Sequence, residues 1–216
     1  MGRLRIGTMV GLLVLALLAG LTFLPASSAL ADGTTYTYSS CSQASSSFPG
    51  DLSSVTGGNS ATFDFPPDCT IELTSSLTVN PNVTITINGN GLTLQGNGTS
   101  TVAGTFDIID MEGTLSSTST LMLNAVMVED GMTGINASGA GGGNGGTVAL
   151  VDSTLSNNAG AAINADGDTG LGSPNWVQGN GGGAGGAVSL TDSTISGGTI
   201  GIDARGGNGG VGNFYG

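Results

Sequence analysis

Two nine-residue segments, "VALVDSTLS" at 148–156 and "VSLTDSTIS" at 188–196, lie 40 residues apart and constrain this chain more than any other feature. Val148, Leu150, Asp152, Ser153, Thr154 and Ser156 recur identically in the second copy. "GINA" at 134–137, "AINA" at 162–165 and "GIDA" at 201–204 recur beside them, and Leu121, Leu123 and Val128 stand 27 residues before Val148, Leu150 and Leu155. One unit therefore occurs three times: a strand, a corner and a second short strand. A unit of this kind cannot bury an apolar face alone, whereas units stacked into a solenoid bury a continuous interior. The difference between 27 and 40 residues is a surface insertion, 166–184, because loops take added length at small entropic cost.

The region before the repeats has the same grain. Ile71, Leu73, Leu77 and Val79 alternate with polar residues, as do Val83, Ile85 and Ile87 after Asn80-Pro81-Asn82, and Leu92 and Leu94 after Asn88-Gly89-Asn90-Gly91. Period two between turn residues predicts half-buried strands. Short strands at this spacing also suit a sandwich or barrel, and the repeats decide for the solenoid. Any helix should be a short cap around residues 42–55. Glycine divides the mature chain near residue 131, with 10 glycines in 32–130 and 27 in 131–216.

Arg3 and Arg5 precede an apolar run from Met9 to Leu18 and a small-residue exit at Ala29-Leu30-Ala31, the pattern of a secretory signal peptide cleaved after Ala31. Gly20, Thr22 and Pro25 break the run before it reaches the roughly 20 apolar residues of a membrane span. The mature chain is thus expected outside the cell, secreted or on its surface, without an integral membrane span. It keeps Arg205 as its one cation against 15 acidic groups, a net charge of 1 − 15 = −14. Such a chain has no electrostatic footprint for nucleic acid, and an anionic membrane repels it. Its two cysteines, Cys41 and Cys69, should pair in an oxidising compartment, closing a loop worth roughly 3–4 kcal/mol in the chain-entropy model.

Gly185-Gly186-Ala187-Val188, with a weaker copy at Gly145-Gly146-Thr147-Val148, resembles the Gly-Gly-Ala-[Ile/Leu/Val] element of the polymorphic outer-membrane repeat proteins. The partner element, Phe-x-x-Asn, stands only as Leu155-Ser156-Asn157-Asn158 and fails at Ile195-Ser196-Gly197-Gly198. More broadly the chain is similar to the pectin-lyase-like right-handed parallel β-helix families, whose exported members open on a cysteine, a short helix, a "TFDF"-like strand and a second cysteine. The resemblance implies a signal peptide at 1–31, an N-terminal cap at 32–70 and β-helix coils over 71–216. The last coil stops in "GGNGGVGNFYG", inside a glycine insert, so the protein is expected to continue past Gly216.

Candidate site residues are few. Asp152 and Asp192 recur at one position of the repeat, either as a carboxylate ladder on the wall or as turn residues, and their place at a strand end favours the turn. Asp166, Asp168 and Trp176 share the long insertion: the acids, with Asp203, form a weak calcium set, and the indole offers a flat face for a sugar ring. A lyase would need a basic side chain and has only Arg205, no histidine exists for a metal or nucleophile site, and no Gly-x-x-x-x-Gly-Lys loop occurs. The expected function is therefore non-catalytic: adhesion, shielding or display toward extracellular glycans or envelope and host surface components, with loops 138–147 and 166–187 as contact face. A polysaccharide lyase or hydrolase using Asp152, Asp192 or neighbouring acids is the alternative.

Overall fold

The computed structural model describes residues 33–99, 102, 104–111, 118–170 and 181–209. The expected signal peptide, Trp176 and the last residues of the chain lie outside that set. The described chain is mostly strand, in parallel sheets, with one helix. No helix among the described residues is long and apolar enough to cross a membrane.

Helix α1 (Cys41–Ser54) follows strand β1 (Thr34–Thr37). Ser40 caps it, its hydroxyl accepting from the Gln43 N–H at 3.2 Å, while Gln43 Oε1 accepts from the Ser39 N–H at 2.9 Å. This reciprocal pair satisfies amides that have no partner inside the helix. Ala44, Phe48 and Leu52, four residues apart, form the buried stripe. Phe48 meets Phe63 and Phe65 edge-on at 5.2 and 5.0 Å between ring centres, and Tyr38 leans on Phe65 at 5.0 Å. Burial, reinforced by the hydrogen bond to Asp51 and its charge, pushes the Tyr38 phenol far above its ordinary range. Cys41 and Cys69 form the expected disulfide, with Cα atoms 5.3 Å apart.

Strands β2 (Ser60–Asp64), β3 (Thr70–Glu72), β5 (Thr84–Gln95), β7 (Thr120–Glu129), β9 (Thr147–Val151), β10 (Thr154–Ser156), β12 (Ala187–Thr191) and β13 (Thr194–Ser196) join β1 in a first sheet. Strands β4 (Leu77–Val79), β6 (Ile109–Met111), β8 (Ile135–Asn136), β11 (Ala161–Asn164) and β14 (Ile200–Asp203) form a second. From β3 onward the chain visits the two sheets in turn. Neighbouring strands pair in parallel, and the register follows the sequence repeat. Leu121 lies beside Val148 and Leu123 beside Leu150. Val128 lies beside Leu155, and Ile163 beside both Ile135 and Ile202. Apolar side chains of successive repeats thus stack like on like. Ile71, Leu73, Leu77, Val79, Val83, Ile85, Ile87, Leu92 and Leu94 are all buried, as their alternation predicts.

Candidate ligand loops and corners

The corner inside each repeat has a common backbone. Asp68, Asn90, Gly91, Ala125, Asp152 and Asp192 have φ of 54°, 53°, 88°, 52°, 49° and 49°. This left-handed conformation favours Gly, Asn and Asp, whose side chains tolerate it best. The Asp-Ser-Thr run is therefore corner chemistry, but the serine rather than the aspartate makes the hydrogen bonds. Ser153 Oγ donates to the Val151 carbonyl at 2.8 Å and accepts from the Val126 N–H at 3.1 Å. Ser193 Oγ does the same one repeat later, donating to Thr191 at 2.8 Å and accepting from the Ser153 N–H at 3.1 Å. Asp152 opens onto a groove of about 170 Å³ that Gly91, Ala125, Met127 and Thr154 also line.

Next in each repeat comes the glycine-rich excursion. The described parts of 138–146, 166–170 and 181–186 are irregular segments, with a turn at Ala140–Gly143, and they are bonded to one another. Along the stack, the Gly139 N–H donates to Asp166 at 2.8 Å, Gly167 to Arg205 at 2.7 Å and Gly145 to Ala184 at 2.9 Å. Asp168 also donates to Gly143 at 3.0 Å and Gly207 to Gly183 at 2.8 Å between repeats, and Gly183 donates to Asp168 at 2.9 Å within one excursion. The segments are thus held both between repeats and within an excursion. Only a residue without Cβ permits this approach: a Cβ on Gly183 would collide with the Gly143 carbonyl, and one on Gly186 with the Gly146 carbonyl.

Asp166 and Asp203 converge as expected, but on Arg205. The guanidinium donates from Nε to Asp203 Oδ1 at 2.7 Å and from Nη2 to Asp203 Oδ2 at 2.6 Å and Asp166 Oδ2 at 3.3 Å. The hydrogen bonds and charge of Asp203, then those of Asp166, hold the Arg205 guanidinium above its usual range. Asp168 turns away, toward Thr169 and the turn at Gly141 and Gly142 of the preceding loop. The N–H groups of Thr169, first, and of Gly142 and Gly141 hold its carboxyl below the usual carboxylate range. Among the described residues no three Asp, Glu, Cys or His gather to hold a metal ion, so Asp166, Asp168 and Asp203 do not form the calcium set expected from sequence. Beside Arg205 lies an open cavity of about 330 Å³, lined also by Asp166, Thr169, Gly207 and Asn208.

Compared with models of protein families, with curated proteins and with solved structures, the chain matches none. Its reading rests on its own residues. Among them, sequence reasoning missed two amide ladders. Asn88 Nδ2 donates to Asp64 and Asn124 Nδ2 to Asn88 Oδ1, both at 2.7 Å, along the first sheet. Asn136 donates to Asp110 at 3.1 Å and Asn164 to Asn136 at 3.3 Å along the second. The recurrent Asn of "GINA" and "AINA" carries that signal. Each ladder starts on an aspartate, which can only accept, and each amide then passes its oxygen to the next.

Proposed function

We propose that the chain is an exported, non-catalytic surface or secreted protein built as a right-handed parallel β-helix, whose glycine-rich face serves adhesion, shielding or display. The observation that carries this reading is the position of the insertions. Residues 138–146, 166–170, 181–186 and 205–208 leave successive repeats at one place and bond to one another, so one side of the wall becomes a continuous polar face. Recognition by repeat proteins tends to reside where insertions collect on a rigid scaffold. Parallel neighbours joined through an intervening strand of the other sheet favour the β-helix, and such crossovers are almost always right-handed. The disulfide suits an oxidising compartment. The lysine-free acidic wall, with Ser, Thr and Asn as its polar residues, resists non-specific association.

Extracellular glycans are the ligands this face fits best, because exposed Asn side chains such as Asn208 and the Arg205 cluster offer hydrogen bonds at low charge. The test incubates the secreted protein with acidic and neutral polysaccharides and scores binding, new reducing ends and unsaturated products. Binding without turnover, lost on deletion of 166–184, is the expected result. Turnover abolished by Asp192→Asn would instead establish the polysaccharide-active alternative.

A further inference from the structure

The first sheet carries an outward face that the glycine-rich excursions do not form. Ser60–Asp64, Thr84–Asn88, Thr120–Asn124 and Thr147–Val151, in β2, β5, β7 and β9, lie beside one another in unbroken register. The register shift between β5 and β7 falls only after Asn88. Alternate residues of these segments, such as Ile85, Ile87, Leu121 and Leu123, are buried, so the others point outward in columns. One column is Ser60, Thr84, Thr120 and Thr147, and the next is Thr62, Thr86, Met122 and Ala149. None of these side chains is buried. The third column is the ladder of Asp64, Asn88 and Asn124. This face runs along the stack instead of closing either end of it, and β12 continues the first two columns with Ala187 and Ser189.

Neighbouring strands stand about 4.8 Å apart and alternate residues of one strand about 6.6 Å apart, so the columns make a lattice of hydroxyl and methyl groups. Threonine is stiff at χ1, so its hydroxyl is held in place before any ligand arrives. Water bound to such a lattice takes up its repeat, which is close to the repeats of water on the prism planes of ice. Charge is sorted to match. Of the 15 acidic groups in the mature chain, the three columns hold Asp64 alone, and its carboxylate accepts from Asn88 Nδ2 at 2.7 Å. Past the corner the same strands and β3 carry Glu72 and Glu129, in one column, so the carboxylates stand off this face.

We propose that this face binds ice. An ice surface is uncharged and periodic, and it offers hydrogen-bond donors and acceptors at fixed points, which is what the threonine columns present in return. A charged side chain would keep its own hydration shell and break the ordered layer, and here the one carboxylate is tied to an amide. A crystalline polysaccharide fits less well, because none of the outward residues of these columns is aromatic and a sugar ring finds no plane to stack on. A second copy of the chain fits less well too, since Met122 is the one large apolar side chain in the first two columns. Ice binding by this face is independent of glycan binding by the glycine-rich face.

Nanolitre osmometry of the purified secreted chain tests the proposal. Faceted ice crystals and a freezing point held below the melting point are expected. Thr86→Lys combined with Thr120→Lys should remove most of that gap, with an unchanged circular dichroism spectrum. Thr84→Lys alone should act in the same direction, and Thr78→Lys, on the second sheet, should leave the gap as it is. None of these threonines is buried, so the variants should fold. Deletion of 166–184, which should abolish glycan binding, should also leave the gap, so the two readings fail separately. Round crystals without a gap in the folded parent chain, a gap indifferent to every substitution on the face, or adsorption to crystalline cellulose or chitin in place of ice would overturn the proposal.

Discussion

Residues 33–95 and residues 137–209 reach the same parallel pairing by opposite means. The first region stacks side chains: Phe48, Phe63 and Phe65 beneath a helix, a disulfide, and aliphatic residues on alternate positions of each strand. The second adds to its strands a body that is almost bare backbone, in which carbonyls meet glycine Cα atoms at distances no side chain allows. In the first region stability comes chiefly from apolar area removed from water. In the glycine body it comes from hydrogen bonds between segments that approach closer than a Cβ at positions such as Gly183 would allow, against the larger conformational entropy that glycine loses on folding. One half should tolerate a change of backbone crowding and fail when volume is lost. The other should behave the opposite way.

The largest effect is expected in the first region. Phe63 is fully buried between Phe48 and Tyr36, so Phe63→Ala should cost about 3–5 kcal/mol of stability in denaturant unfolding. A loss below about 1 kcal/mol would mean that the aromatic cluster is loosely packed. Replacing Cys41 and Cys69 together by Ser should cost roughly 3 kcal/mol, and should leave amide protection in 137–209 unchanged if the two regions are held independently. In the second region Gly183→Ala should cost about 1–3 kcal/mol, although it adds a single methyl group, because the obstacle is the Gly143 backbone and no rotamer relieves it. A Gly183→Ala chain as stable as the parent would break the comparison at its centre.

The smallest effect concerns Asp168. Its carboxyl titrates below the ordinary range in the folded chain, so its stabilising contribution is present above its unfolded value and is lost as pH falls through the lower folded one. The Gly142 and Thr169 amide resonances should therefore be insensitive to pH from neutrality down to the usual carboxylate range, and shift only below it. A shift centred at or above the ordinary aspartate value would show that these amides do not hold the carboxylate.

Sequence made the strands easy to see and the glycine body hard to see, for one physical reason. Alternation such as Val83, Ile85 and Ile87 reports burial directly, because one face of a strand must be apolar to be covered. The match of Val148 to Val188 fixes register, since a slip of one residue would turn the apolar set outward. Glycine carries no such label: Gly143 and Gly183 are buried, whereas Gly181 is exposed, and nothing in "GGG" distinguishes them. Ala125 hides a corner that Asn90, Asp152 and Asp192 advertise, because its left-handed φ is imposed by the stack on either side and not by its own preference. That Asp166 and Asp203 are neighbours one repeat apart was expected from the sequence, and both meet Arg205. The part of Arg205 was not, since it depends on the backbone of Arg205 running beside Asp166 and Gly167 of the preceding repeat.

Native-state hydrogen exchange resolved at single amides tests the central claim most directly, that the glycine-rich excursions are an ordered, backbone-bonded body. The amides of Gly139, Gly145, Gly167, Gly183 and Gly186, all hydrogen-bonded to carbonyls of neighbouring segments, should exchange as slowly as those of β9 and β11 within about a factor of ten. Exchange of these five at the rate of an unstructured chain, while β9 and β11 stay protected, would contradict the account and return the excursions to open loops.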